Sequence, residues 1–567
     1  MKTSLMCLIF LVVPMMLLAQ GNFNITGRVS LQTLNVSYDE KSSLKPDSIP
    51  DDQYAKSTLI PGLQQRLNLA LFARSRHYDI TLLGDLKNNQ WDRLDNFQRV
   101  DRLTLNIRRG RNEMILGDFF QSGSDLFVQS REMRGFKLAI ESGKTYYYKV
   151  ELIGGQSQKP LAIGSRLPMQ YRQYETSGQF QRYLGAAQVK TGKWEKFEVG
   201  LKFLWAKDNE KSIEEAISEP LTNQLLGLDG QLYLWKKRVK WFVDANLSRK
   251  DTLSAQNVTD LAYRAGFDLR LGHFKMILYK QYLGYDYYSA GYPYLQTDRD
   301  GFVLNAVYNF PQKFALSLEG ERYFDNLKDF KDRPRTTTNS AIVGITSMRS
   351  NFPEVTLKFR YRDDRSNTVL DSVKTDKLYM GLEGRISFGS MNNRLSLSAI
   401  YLDLDDRSIL QAGAPLGTKQ FISSVNFYLR PHNRLFISGG SVFSRLQLSN
   451  DQQNINSYTF TSGRWDVIPV RLRAEFNLSF IYNDAANGGY QDMLSDYNQL
   501  ASSFSLEYFF NTRISLKAIV GNDFRDMRYS LDQARLVISD PDYGPTYFNG
   551  FESYNSLKYG MELNWIF

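Results

Sequence analysis

Hydrophobic and polar residues alternate with a period of two over many short segments of this chain. In one segment the apolar set is Phe197, Val199, Leu201, Phe203 and Trp205. The same alternation occurs at 239–248, 263–271 and 470–480. Successive side chains of a β-strand point to opposite faces, so this period predicts strands. One face of each strand meets an apolar medium and the other meets water.

The segments between the predicted strands alternate between short and long. Short turns are predicted at 109–112, 142–144, 236–238, 272–273, 311–313, 389–393, 430–433 and 511–513. Longer segments are predicted at 39–60, 156–178, 207–222, 284–300, 325–338, 363–376, 403–418, 483–498 and 525–555. Transmembrane barrels have short periplasmic turns and longer extracellular loops. The sequence predicts an all-β antiparallel transmembrane barrel of about 26 strands (range 22–26), with phase changes near 22–38 and 112–142 that indicate bulges.

The last twelve residues form the clearest predicted strand. Alternate positions from Leu557 to Phe567 are apolar, and the chain ends on an aromatic residue. This segment resembles the closing strand and assembly signal of bacterial outer-membrane β-barrels. The resemblance implies that the barrel assembly machinery recognises an assembly signal formed by Tyr559, Trp565 and Phe567.

The amino terminus predicts export. A basic start at Lys2 is followed by an uncharged apolar run and by Ala19, which suits a signal-peptide cleavage site. Residues 1–19 are therefore predicted to be a cleaved signal peptide, and 20–567 a single barrel domain. Cys7 is the only cysteine and lies within the signal, which leaves no disulfide or cysteine metal site in the remainder.

Composition narrows the class of protein further. Aromatic residues make up 14% of the chain while the mean hydropathy is −0.40, which fits a polar lumen inside an apolar belt. The formal charge is +10, one unit less without Lys2. Basic residues are interspersed with acids and the chain is predicted to be exported, which argues against nucleic acid as a partner. Lipopolysaccharide, anionic solutes or simple solubility would explain the charge, and we expect lipopolysaccharide and outer-membrane lipid as partners.

The residues that support catalysis are scarce. The three histidines, His77, His273 and His432, fall in predicted short turns, away from the loop end. The repeated Asp-Asp-Arg-Ser tetrapeptides at 363–366 and 405–408 match no calcium-loop spacing. We predict a non-enzymatic protein without a metal or cofactor.

Two sets of residues are candidates for a functional role. Lys358, Arg360, Arg362, Arg471 and Arg473 fall on the polar face of their predicted strands and would form basic rows along the lumen. Tyrosines of the 284–300 loop would bind a sugar or partner, or belong to an aromatic girdle or to loop packing. These tyrosines are Tyr285, Tyr287, Tyr288, Tyr292 and Tyr294.

With its Leu-Leu-Ala-Gln signal end, its Tyr/Asn/Asp-rich loops and its terminal Trp565-Ile566-Phe567, the chain resembles the large plug-less outer-membrane β-barrels of Gram-negative Bacteroidota. That group implies a porin-like channel or translocation pore in the outer membrane. The alternative is a scaffolding subunit of a secretion or surface-export complex, with periplasmic or outer-membrane protein partners. A barrel of this size must be narrowed by folded-in loops, by lumenal side chains or by a partner.

Overall fold

The protein was analysed as a computed structural model, which describes residues 23–42, 62–89, 102–160, 178–214, 219–311, 313–347, 353–367, 374–389, 393–409, 417–486, 496–527 and 553–567. The predicted signal peptide lies outside these residues. The strands are β1 Asn24–Ser42, β2 Gly62–Arg74, β3 Asp79–Asn89, β4 Arg102–Arg109, β5 Asn112–Gln121, β6 Arg131–Ser142, β7 Tyr146–Gln158, β8 Gln181–Lys193, β9 Phe197–Asn209, β10 Thr222–Leu234, β11 Val239–Asp251, β12 Val258–Leu271, β13 Phe274–Leu283, β14 Arg299–Phe310, β15 Phe314–Phe324, β16 Thr336–Ser347, β17 Glu354–Ser366, β18 Asp376–Gly389, β19 Arg394–Asp406, β20 Thr418–His432, β21 Leu435–Leu448, β22 Gln453–Ile468, β23 Leu472–Ala486, β24 Tyr497–Phe509, β25 Ile514–Met527 and β26 Ser553–Ile566.

These 26 strands form one closed antiparallel barrel. Each strand pairs with its neighbours in sequence, and β1 also pairs with β26. The seam includes backbone bonds from Gly27 N to Phe567 O (2.8 Å) and from Phe567 N to Gly27 O (3.0 Å). Closure leaves no strand edge unpaired, which is the condition for spanning a bilayer with strands. The predicted fold and strand number are confirmed.

The two faces of each strand differ in exposure as the sequence pattern predicts. In β9, exposed and buried residues alternate, and Leu201 on the outer face is 60% exposed. In β26, Tyr559, Met561 and Trp565 are exposed while Asn564 is buried. The exposed apolar rows form the outer belt, and the opposite face forms the wall of the lumen.

Short and long connections leave opposite ends of the barrel. All eight predicted turns connect consecutive strands at one end, and the other end carries the longer segments. One connection at the long end, 449–452, has only four residues. Within the described part of the chain, the changes of register lie at Glu40/Ser42, Gln156/Gln158, Leu429/His432 and Asp466/Ile468. The bulges predicted near 22–38 and 112–142 are wrong, because β1 pairs continuously with β2 over 24–36 and β5 pairs continuously with β6.

Helical structure in the described residues is limited to short turns such as the 3-10 turn Glu210–Ser212. No helix in this part of the chain is both long and apolar enough to cross a membrane.

Candidate functional site

Two connections from the long-loop end fold into the lumen. They are residues 122–130, between β5 and β6, and 284–298, between β13 and β14; together they are the plug loops. The Asn223 side chain, on the inner wall of β10, donates to the carbonyl oxygen of Tyr288 (3.2 Å) and accepts from the backbone nitrogen of Ala290 (2.9 Å). The 122–130 loop reaches β11, where the Ser124 hydroxyl donates to Asp244. Folded-in loops, one of the three predicted means of narrowing the barrel, are therefore present.

The plug loops also bind each other. The Tyr287 hydroxyl donates to the carbonyl oxygen of Leu126, and the Ser289 hydroxyl donates to that of Phe127. Tyr287 is 2% exposed, and this burial raises the pKa of its hydroxyl. The two loops thus form one unit inside the barrel.

An apolar core fixes this unit to the wall. Leu126 of the plug is fully buried, and so are Leu204 of β9 and Ala262 of β12. Other members of this core are Phe119, Phe127, Val128, Met133, Ile153, Leu184, Ala186, Ala206, Leu225, Leu283, Tyr287 and Ala290. A fully buried leucine contributes about 1.5–3 kcal/mol, so the core supplies the main energy that holds the plug loops.

The core lies between two layers of buried charge. On its long-loop side, Arg182 of β8 forms a two-point ion pair with Asp208 of β9 (2.6 and 2.9 Å). The Arg182 guanidinium also donates to the Tyr288 hydroxyl (3.1 Å). The plug is therefore fixed by a charge-assisted bond as well as by apolar contact.

A second charged layer lies on the short-turn side of the core. Lys202, on β9, is 2% exposed and forms an ion pair with Asp244, the carboxylate that accepts from Ser124. Its ammonium lies 5.5 Å from the ring centroid of Phe127. Arg264 pairs with Asp125 of the plug. Two neighbouring residues of the 122–130 loop, Ser124 and Asp125, are thus bonded to ionised residues of the wall.

A cavity of about 830 Å³ extends from the plug towards the short-turn end. Its walls carry cations and carboxylates that neutralise one another. Lys190, for example, lies 2.6 Å from Asp229 and 3.1 Å from Glu198. The cavity lining includes five cations and seven carboxylates, so most charges are paired and a small excess is negative.

The five tyrosines of the 284–300 loop separate into different environments. Tyr287 and Tyr288 belong to the plug, and Tyr292 lines the cavity. Tyr285 packs edge-on against Phe330, with 4.9 Å between ring centroids. Tyr294 is 80% exposed. The sequence left three roles open for these tyrosines: ligand or partner binding, an aromatic girdle, and loop packing. Loop packing describes most of them, and the loop packs inside the lumen.

The predicted basic row on β17 lies opposite the exposed Leu357 and Phe359, on the inner wall. Lys358 and Arg360 share one carboxylate, Glu383 of β18, at 3.7 and 2.7 Å. Arg362 pairs with the buried Asp364 at 3.0 Å. Each of these cations has a carboxylate partner, so the row carries less free charge than the sequence suggested.

The two arginines predicted on β23 differ in position. Arg473 lies on the strand and pairs with Asp466 (3.0 Å) and Glu507 (3.6 Å). Arg471 does not lie on the strand, because β23 begins at Leu472 and Val470 adopts a left-handed turn conformation with φ 66°. The assignment of Arg471 to the strand wall is therefore corrected.

A different wall lines β19–β24. Its inward side chains include many serines and asparagines that bond across neighbouring strands. Examples are Ser398–Ser424 (2.7 Å), Ser438–Ser462 (2.7 Å) and Asn477–Ser503 (3.3 Å). We call this surface the Ser/Asn wall. Apart from the Arg473 ion pairs with Asp466 and Glu507 near the short turns, it offers mainly neutral hydrogen-bonding groups to the lumen.

The candidate catalytic and metal residues do not converge. His77, His273 and His432 lie at the short-turn end. The tetrapeptides at 363–366 and 405–408 lie at the ends of β17 and β19, where their aspartates form ion pairs. Among the described residues, no group of three or more His, Cys, Asp or Glu side chains is arranged to hold a metal.

The sequence analysis missed the 122–130 loop. Two signals for it were present. Leu126, Phe127 and Val128 form an apolar triplet within a polar segment, and 203–206 is apolar on both faces of β9. An apolar row on the inner face at the end of a barrel strand indicates that another segment of the protein packs against it.

No protein-family model matches the sequence, and neither does any curated protein. Among solved structures, the siderophore receptor PirA from Pseudomonas aeruginosa is 10% identical, with 96% of this chain and 80% of that chain covered and a TM-score of 0.42. The copper transporter OprC is 8% identical, covering 96% and 81%, with a TM-score of 0.42. OccK11 from Pseudomonas aeruginosa is 11% identical, covering 68% and 96%, with a TM-score of 0.27. Similarities at this level assign neither a family nor a function.

Proposed function

We propose that this protein is a non-enzymatic outer-membrane channel or translocation pore whose lumen is narrowed on one side by the plug loops. The observation that carries the proposal is the closed 26-stranded barrel. Barrels of 16 to 18 strands already enclose an aqueous channel, and lumen width grows with strand number. Among the described residues, the plug loops bond to the wall between β8 and β12 and not to the Ser/Asn wall.

Conductance tests this proposal. Mature protein inserted into planar bilayers should give discrete current steps, and replacing residues 123–129 by Gly-Ser should enlarge each step because the plug core is lost. A barrel that carries no current with or without the loop would favour the alternative function, a scaffolding subunit of an outer-membrane secretion or surface-export complex. The apolar core inside the lumen is the feature that favours that alternative.

The location in the outer membrane, after export through a cleaved signal peptide, is part of the same proposal. Short turns would face the periplasm and the long-loop end would face the cell surface. Leu253, between β11 and β12, is 73% exposed and is a better surface probe than the inward-folded 284–298 loop. A cysteine at Leu253 should be labelled on intact cells and one at His432 should not. The opposite pattern would reverse the orientation.

The proposed assembly signal can be tested separately. Tyr559 and Trp565 lie in the outer belt, and the Phe567 ring lies 4.8 Å from that of Trp565. Replacing Trp565 and Phe567 by Ser should leave the protein exported but poorly inserted by the assembly machinery. Normal amounts of heat-modifiable barrel would contradict that role.

The proposed membership of the Bacteroidota barrels depends on the sequence resemblance given above, and the proposed contact with lipopolysaccharide depends on the composition.

A further inference from the structure

An aromatic pair projects into the lumen from the Ser/Asn wall. Tyr458 and Phe460 are two residues apart on β22, and their rings stack with 5.6 Å between centroids and 23° between planes. Tyr458 pairs with Ile481, and the adjacent Thr459 pairs with Phe480 of the outer belt. The two aromatic side chains therefore point inwards, where Tyr458 is 38% exposed.

The pair belongs to a longer apolar stripe. Ile400 pairs with Ile422 and Val442 pairs with Tyr458, whereas Ile422 and Val442 are diagonal neighbours on β20 and β21. Inward apolar residues therefore occur on each strand from β19 to β23, with one diagonal step. Neighbouring strands are about 4.8 Å apart, so the stripe is roughly 19 Å long. A row of part-exposed apolar side chains on a wall with many serines and asparagines is a candidate ligand-binding surface.

Neutral hydrogen-bonding groups surround the rings. A cavity of about 360 Å³ is lined by both aromatic residues together with Asn477, Ser479 and Ser503. Hydroxyl and amide groups can both donate and accept, so they suit a ligand that carries many hydroxyl groups. Lys558 and Asp523 are the ionisable residues that line this cavity, and they have opposite charge.

We infer that the stripe centred on Tyr458 and Phe460 binds a neutral oligosaccharide. A sugar ring has an apolar face that stacks on an aromatic ring and a rim of hydroxyls that matches serine and asparagine. The length of the stripe exceeds one sugar unit, which favours a chain of several units. The cavity beside the plug also holds a stacked aromatic pair, Tyr147 and Trp194, but cations and carboxylates surround that pair. The inference rests on the proposed pore, because the ligand must reach the lumen.

Calorimetric titration of the mature protein in detergent micelles tests the inference without requiring conductance. The probes are neutral hexasaccharides of α-linked glucose, β-linked glucose and mannose, with hexagalacturonate as the anionic comparison. At least one neutral hexasaccharide should bind more tightly than hexagalacturonate. Tyr458→Ala combined with Phe460→Ala should weaken that binding about tenfold, given the energy of ring stacking.

Two matched variants separate stacking from general damage. Tyr458→Phe keeps the ring and should bind within about twofold of wild type. Tyr428→Ala removes an aromatic of β20 near the short turns and should leave binding unchanged. Absence of binding by all neutral probes, preference for hexagalacturonate, or equal binding by the double alanine variant would overturn the inference. A conducting barrel that binds no sugar refutes only the inference, whereas a sugar-binding barrel without conductance refutes only the pore.

Discussion

The inner walls of β8–β12 and of β19–β24 belong to one barrel and follow one strand periodicity, yet they face different surroundings. The first wall carries buried leucines and ion pairs, and the plug loops cover it. The second carries serines, asparagines and a part-exposed aromatic pair. The difference shows that a period of two specifies which side chains point inwards but not what they meet there. In this protein, buried ion pairs lie on the wall that binds the plug loops, whereas serines and asparagines are more frequent on the wall of β19–β24.

The largest expected effect concerns the buried ion pair beneath the plug. Asp244→Ala leaves the ammonium of Lys202 buried without its carboxylate and removes the acceptor of Ser124. Loss of one partner from a buried pair costs about 3–5 kcal/mol. We expect residues 122–130 to become sensitive to protease and the current steps to grow.

The matched control replaces both charges. Lys202→Met combined with Asp244→Leu removes the pair without leaving a buried charge, and it should retain more protease resistance than Asp244→Ala. If Asp244→Ala alone were as resistant as wild type, the ion pair would have no part in holding the plug.

The next effect concerns the apolar core. Leu126 is fully buried against the wall, so Leu126→Ala should weaken plug docking by about 2–5 kcal/mol. Leu253→Ala, at a residue that is 73% exposed, should change stability by less than about 0.5 kcal/mol. Chemical denaturation followed by protease digestion measures both variants. Equal digestion rates would mean that the two loops do not depend on this core.

A third test compares the two faces of β23, a strand of the Ser/Asn wall. Phe476 of β23 belongs to the outer belt and is 40% exposed, whereas Asn477 lies on the inner wall. Phe476→Arg places a charge in lipid and should destabilise the barrel by about 2–4 kcal/mol near mid-membrane. Asn477→Arg should be tolerated, since its side chain meets water. Equal unfolding midpoints in urea would show that the faces are assigned incorrectly.

The faces, the strand number and the closing strand were predictable because each depends on local alternation and on turn positions. The plug loops were not predictable, because Leu126 and Leu204 are far apart in sequence and come together only when the barrel closes.

The partners of the β17 row could not be predicted either, since Glu383 reaches Lys358 and Arg360 only through the register of β17 with β18. Arg471 was misplaced for a local reason: with the left-handed backbone of Val470, the turn extends two residues beyond the start suggested by alternation, and β23 begins at Leu472. The aromatic pair on β22 could have been recognised as two rings on a polar face.

The smallest expected effect concerns ion selectivity. Because Lys358 and Arg360 share Glu383, the β17 wall should contribute only a weak preference for anions in the native pore. Glu383→Gln keeps the shape of that side chain and releases two cations, so the reversal potential under a salt gradient should shift towards anion selectivity. The shift should shrink between 0.1 M and 1 M salt, as the screening length falls from about 10 Å to about 3 Å. Glu354→Gln is the control, because this residue lies at the short-turn end of β17 and pairs with the exposed Arg394. A shift towards cations in Glu383→Gln, or an equal shift in both variants, would place the β17 row outside the conducting path.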